Sequence, residues 1–88
     1  MRFKSFNQWK TFAVAKLNEI YCMAVREGNV KLENDCRTLL AKLLYLRLRD
    51  LAGWMVLVHH AYQYHRIHEF LEILPKSDEI LEWYKGEE

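Results

Sequence analysis

Apolar residues recur at spacings of three and four along most of this chain. The members of the first series are Phe6, Trp9, Ala13, Leu17, Ile20 and Ala24. This spacing places them on one face of an α-helix. Ser5 and Gln8 fit a capping box at its start, and Gly28-Asn29 suits its end because both residues tolerate a left-handed backbone. The pattern therefore predicts a helix over residues 6–27.

Two further series follow along the chain. The second, over about residues 30–49, has Leu32, Cys36, Leu39, Leu43 and Leu46 on one face. The third, over about residues 54–74, consists of Leu57, Ala61, Tyr64, Ile67, Leu71 and Leu74. Pro75 ends it, because proline disfavours helical geometry in the residue before it. Ser77, followed by two acidic residues, predicts the N-cap of a short last helix.

The predicted fold is all-α: a small helical bundle of three longer helices and a short C-terminal helix, forming a single domain over residues 1–88. Residues 6–27 and 30–49 are expected to pack antiparallel. The residues expected between them are Leu17, Ile20, Leu39 and Leu43. One segment permits an alternative, because residues 44–49 alternate apolar and polar side chains and residues 54–58 favour strands. That alternative is an α+β fold with a hairpin over 44–58.

Charge is unevenly distributed although the net charge is only +1. Residues 1–50 carry ten Lys/Arg against five Asp/Glu (+5), and residues 51–88 carry three against seven (−4). Such halves most often neutralise each other within a bundle or between subunits. The basic half also permits nucleic-acid binding, since residues 2–10 interleave basic and aromatic side chains as single-strand-binding surfaces do.

The sequence indicates a cytoplasmic protein. The first eight residues lack the apolar block of a secretory signal, and no apolar run approaches the ~20 residues of a membrane span. Two cysteines are too few for a disulfide scaffold. Because the chain begins with Met and has no tag-like tail, we interpret it as a complete gene product, of a size typical of compact bacterial or phage genes.

Four side chains near the third helix are weak candidates for metal ligands. His65, His68, Glu69 and Glu72 fall on one side of a continuous helix, within an arc of about 100°. The spacing matches no established metal motif, and favourable His–Glu pairs on a solvated face are the favoured interpretation. We therefore predict no metal and no cofactor.

The two cysteines, Cys22 and Cys36, are each seven residues from Asn29. In an antiparallel hairpin that reverses there, both thiols lie at the same level, and they face each other if both point inward. A disulfide or a metal pair is one interpretation. Two buried, reduced thiols that act as small hydrophobic groups are the favoured one.

The apolar content is larger than a small fold encloses. Hydrophobic residues make up 51% of the chain, and a domain of this size cannot bury them all. The residues outside the main core series, and therefore the predicted interface, are Tyr45, Val58, Tyr62, Phe70, Trp83 and Tyr84. With no nucleophile or phosphate-binding motif present, the sequence predicts a non-enzymatic module that binds another protein or itself, such as an adaptor, inhibitor or regulatory subunit. The alternative is a nucleic-acid-binding regulator.

Overall fold

The structure, a computed structural model, describes residues 2–87. Its helices are α1 (Phe6–Glu27), α2 (Val30–Leu44), α3 (Leu51–His65), α4 (His68–Leu71) and α5 (Ser77–Glu87), with a 3-10 turn at Leu48–Asp50. The described residues contain no strand. The all-α prediction is therefore confirmed, and the alternative with a hairpin over 44–58 is wrong.

Helix α1 has the predicted bounds and the predicted caps. The Gln8 backbone N–H donates to Ser5 Oγ at 3.1 Å, which satisfies one free donor of the first turn. Gly28 adopts a left-handed conformation with a φ of 70°. Asn29 does not: its side chain instead caps α2, accepting from the Leu32 N–H at 3.2 Å. One residue thus ends the first helix and the next begins the second.

Helices α1 and α2 form an antiparallel hairpin. Lys10 Nζ donates to the Leu46 carbonyl at 3.1 Å, and Arg37 Nη2 donates to Tyr21 Oη at 3.4 Å. Early residues of α1 therefore lie beside the end of α2, as an antiparallel pair requires. All four residues predicted between these helices are buried.

Helix α2 ends at Leu44, five residues before the predicted end at 49. Leu46 and Leu48 are both buried, yet residues two apart lie on opposite sides of a helix. An extended link at Arg47 (φ −101°, ψ 154°) brings both leucines to the same side. The alternating pattern that suggested a strand therefore marks only this short extended link.

The predicted continuous helix over residues 54–74 is wrong. Helix α3 starts earlier, at Leu51, and ends at His65, where Arg66 takes a left-handed conformation with a φ of 52°. Ala61 and Ile67 are both buried, but six residues on one helix place them about 120° apart. The break at Arg66 lets both side chains enter the core.

Helix α5 begins one residue earlier than a Ser77 cap requires, because Ser77 is itself the first helical residue. The Glu79 carboxylate instead accepts from the Lys76 backbone N–H at 3.2 Å. This is the reciprocal half of a capping box. The predicted acidic first turn is present, but the predicted cap at Ser77 is wrong.

The core is built around three buried tryptophans that connect distant parts of the chain. The Trp9 indole N–H donates to the Ile73 carbonyl at 2.8 Å. Trp54 donates to the carbonyl of Leu39, and Trp83 to that of Phe3, each at 3.2 Å. Each indole therefore combines apolar burial with a satisfied N–H, as buried tryptophans generally do.

Candidate functional site

The exposed side of α3 carries no charged residue. Its exposed residues, hereafter the α3 face, are Ala52, Gly53, Val56, Leu57, His59, His60, Gln63 and Tyr64. Val56 is 66% exposed, Tyr64 63% and Leu57 42%. A helix that faces water normally presents charged or polar residues on that side. The α3 face is therefore unusual for its lack of Asp, Glu, Lys and Arg.

A groove runs between α2 and α3 beside this face. It consists of two adjoining cavities of about 320 and 460 Å³, which share Lys42 and Leu57. Leu39 and Ala61 line the first cavity, and Leu46 and Trp54 line the second. The α2–α3 groove thus has an apolar base and continues along several turns of both helices.

The unpaired charges along the α2–α3 groove are positive. Lys31, Lys42 and Arg49 line it, and none of them forms an ion pair with another residue of the described chain. The two carboxylates of the groove are engaged: Asp35 accepts from His65 Nε2 at 2.7 Å, and Asp50 from Arg47 Nε at 3.0 Å. The groove therefore presents a basic rim above an apolar base.

The predicted interface is partly wrong. Val58 and Phe70 have no exposed area, and Trp83 is only 3% exposed. Val58 and Phe70 fall outside the predicted core series, but the break at Arg66 shifts the buried positions of this region. Trp83 was expected at the surface because its helix is short, yet its ring packs against that of Phe6. All three side chains are unavailable to a partner of the folded protein.

Three residues of the predicted interface remain accessible. Tyr45 is 85% exposed, directly after α2, and Tyr84 is 42% exposed. Tyr62 is half-buried, and its hydroxyl lies 3.2 Å from His68 Nδ1. None of the three lines the α2–α3 groove.

The weak metal candidates do not form the arc that a continuous helix predicts. His65 ends α3, His68 and Glu69 belong to α4, and Glu72 follows α4. The His65 side chain forms a hydrogen bond with Asp35, and the His68 side chain forms one with Tyr62. Within residues 2–87, no three His, Cys, Asp or Glu side chains are grouped so that they could hold a metal ion.

The cysteines lie at similar levels of the α1–α2 hairpin but do not face each other. Their neighbours in sequence, Tyr21 and Arg37, form a hydrogen bond across the hairpin. Cys22 is exposed, however, whereas Cys36 is buried, and both thiols are free. The expectation that both point inward is wrong for Cys22, because the buried positions of α1 fall at residues 20 and 24.

The two thiols are expected to differ strongly in reactivity. Burial, and secondarily Asp35, raises the pKa of Cys36 to about 11, so at pH 8 only about one Cys36 in a thousand is the reactive thiolate. Iodoacetamide should label Cys22 of the native protein and reach Cys36 only after unfolding, as measured by mass spectrometry. A Cys22→Ser variant should take up no label while folded. Equal labelling of both thiols would contradict this assignment.

The basic and aromatic N-terminal segment does not form a stacking surface for nucleic acid. Phe3, Phe6 and Trp9 are all buried in the core. The Arg2 guanidinium is also engaged, donating to the carbonyls of Glu72 at 2.6 Å and Leu74 at 3.0 Å. The aromatic side chains that a single strand would stack on are therefore inaccessible.

The α3 face and the groove are not apparent from the spacing of apolar residues, although one pattern in the sequence marks them. Residues 51–65 contain no Asp, Glu, Lys or Arg. A helix of this length in a small domain has at least one side in water, so the lack of charge predicts an unusual surface. That inference requires the correct helix bounds, which the break at Arg66 obscured.

No helix within residues 2–87 has the length and apolar character needed to cross a membrane. Comparisons with protein-family models, curated proteins and solved structures gave no match to this chain.

Proposed function

We propose that this protein is a small non-enzymatic interaction module, an adaptor, inhibitor or regulatory subunit, that binds a partner protein through the α3 face. The observation that carries the proposal is the absence of charge from eight exposed residues of one helix. Depletion of charged residues is the compositional mark of the centre of a protein–protein interface. We place the module in the cytoplasm, where an exposed free cysteine such as Cys22 stays reduced.

The side chains of the α3 face suit such a contact energetically. Val56 is largely in water and Leu57 partly so, and full burial of an aliphatic side chain contributes about 1.5–3 kcal/mol before association costs. Ala52 and Gly53 are small and exposed, which permits close approach of a partner at the start of the helix. Tyr64, at the other end, adds an aromatic side chain of the kind enriched at interfaces.

Substitution at Val56 tests this proposal. A glutamate there should reduce binding of the partner about tenfold or more, because the contact would bury an unpaired charge. Val25→Glu is the matched control, since Val25 is also exposed, at 48%, but lies on α1. Tagged wild-type protein and both variants, each checked for helical content by circular dichroism, are used to capture partners from extracts of the native host.

The wild-type protein and Val25→Glu should retain the same protein, and Val56→Glu should lose it. Self-association would appear instead as a concentration-dependent mass by light scattering that Val56→Glu abolishes, in which case the partner is a second copy. The proposal fails if Val56→Glu binds like the wild type, or if the two variants are equally impaired. Salt-dependent retention on DNA or RNA, unaffected by Val56→Glu, would favour the nucleic-acid alternative.

A further inference from the structure

We infer that the α2–α3 groove receives an amphipathic helix of the partner that carries Asp or Glu along one side. This inference rests on the proposed function and specifies the chemistry of the partner segment. It follows from three properties of the groove: its length, its apolar base and the sign of its unpaired charges.

The dimensions of the groove suit a helix of about three turns. Along α3 it extends from Gly53 to Tyr64, which is about 16 Å at the rise of an α-helix. Nothing lies within 4 Å of the position that a Cβ atom on Gly53 would occupy, so this end is open to close approach. An extended peptide would instead bind by adding to a sheet edge, and the described chain contains no sheet.

The base and the rim of the groove recognise different sides of such a helix. Leu57 lines both cavities and marks the apolar centre, where residues at spacings of three and four would pack. Lys42 also lines both cavities, and Arg49 lies at one end. Arg47 compensates the charge of Asp50. Three cationic side chains of the groove then stand against one further carboxylate, that of Asp35, so the rim presents a net positive charge to an incoming segment. Carboxylates beside the apolar residues complement that rim.

Two other occupants fit the groove less well. A single-stranded nucleic acid needs aromatic surfaces on which bases stack, but the centre of the groove is aliphatic, and Lys31 Nζ covers the Tyr64 ring at 4.8 Å. A second copy would offer its acidic α5. The large apolar residues that α5 exposes are Leu81 and Tyr84, and the Tyr84 hydroxyl is bound to the Leu48 carbonyl, which leaves a single free leucine.

Selection of peptides provides the test. A displayed library of random 16-residue peptides is selected on the immobilised full chain, and the affinities of the enriched peptides are measured by fluorescence anisotropy. The expected peptides have apolar residues at i, i+3 or i+4, and i+7, with at least two Asp or Glu nearby. Leu57→Asp should weaken their binding about tenfold or more.

Charge-reversal variants test whether binding depends on the acidic residues of the peptide or only on nonspecific apolar contact. The double variant Lys42→Glu/Arg49→Glu should also lose about tenfold in affinity. Lys4→Glu/Arg26→Glu changes the net charge equally at exposed positions outside the groove and should stay within about threefold of wild type. Circular dichroism of each variant confirms that it is folded.

Several results would overturn the inference. Equal effects of the two double variants would show that the groove does not select acidic residues. Peptides that bind Leu57→Asp as they bind the wild type would show that the groove is not the binding site. Failure to enrich any peptide, salt-dependent binding of RNA that Lys42→Glu/Arg49→Glu abolishes, or a dimer that Leu57→Asp dissociates would each exclude a foreign helix as the occupant. All of these are independent of the Val56→Glu capture experiment, so the proposed function survives or fails separately.

Discussion

Replacing Trp9 with alanine is expected to lower the free energy of unfolding by about 3–5 kcal/mol. Trp9 has no exposed area, and its ring lies 5.8 Å from the Trp54 ring, 5.9 Å from Phe6 and 6.2 Å from Trp83 between centroids. The substitution leaves a cavity among three aromatic rings. It also removes the donor bound to the Ile73 carbonyl. Urea denaturation followed by circular dichroism measures the loss.

Tyr84→Ala is the control for this experiment. Tyr84 is 42% exposed, so its loss should cost about 1 kcal/mol or less. If Trp9→Ala does not fold, Trp9→Phe should remain folded and lose about 1–3 kcal/mol, because it keeps a ring but leaves the carbonyl unpaired. A Trp9→Ala variant within about 1 kcal/mol of the wild type would show that the aromatic cluster is not the centre of the core.

Arg2→Ala is expected to cost about 2–3 kcal/mol, a large effect for a residue so close to the N-terminus. The guanidinium donates to two carbonyls and to Glu79 Oε1 at 3.2 Å. Glu79 is only 2% exposed, and its other oxygen has no partner among the described residues. Without Arg2, the buried Glu79 carboxylate would lose the one charged partner that it has among the described residues.

A double-mutant cycle isolates the ionic part of this effect. Glu79→Gln keeps an oxygen for the Lys76 N–H but removes the charge, so Arg2→Ala should cost less in that background by at least about 1 kcal/mol. Urea denaturation of the four proteins gives the coupling energy. A coupling energy near zero would mean that Arg2 acts only through the carbonyls of Glu72 and Leu74.

The helical hairpin was predictable because local and long-range requirements agree there. The apolar spacing of α1, the Ser5 cap and the left-handed Gly28 all specify the same boundaries. The residues at the turn between the two helices then direct α2 back along α1, so few other orientations of α2 are possible. Burial of the core residues requires the same backbone conformation here that the local sequence favours.

The C-terminal half was less predictable because the core determines its backbone. Arg66 has no intrinsic preference for the left-handed conformation that it adopts. The conformation is favoured only because it allows Ile67 and Phe70 to be buried with Ala61. The spacing of apolar residues predicts one continuous helix in this region, and on such a helix Phe70 lies at the surface.

The candidate site was hidden for a related reason. Val56 and Leu57 look like core residues in a sequence, and only the position of α3 relative to α2 shows that they face outward. Conversely, Trp83 was expected at the surface because its helix is short, whereas it packs against Phe6 with ring centroids 6.1 Å apart. The apolar content predicted that some hydrophobic side chains lie at the surface, but only the structure shows which ones they are.

The contact between Phe3 and Trp83 has a consequence for the newly synthesised chain. The two residues are separated by 80 positions, so a ribosome must have made residues 4–82 before the two can meet. Until then Phe6 lacks the Trp83 ring that packs against it in the folded protein, whereas Trp9 can already pack against Trp54 of α3. We expect folding to be completed only after α5 emerges, and until then the Phe6 side of the core is an apolar surface of the kind that chaperones bind.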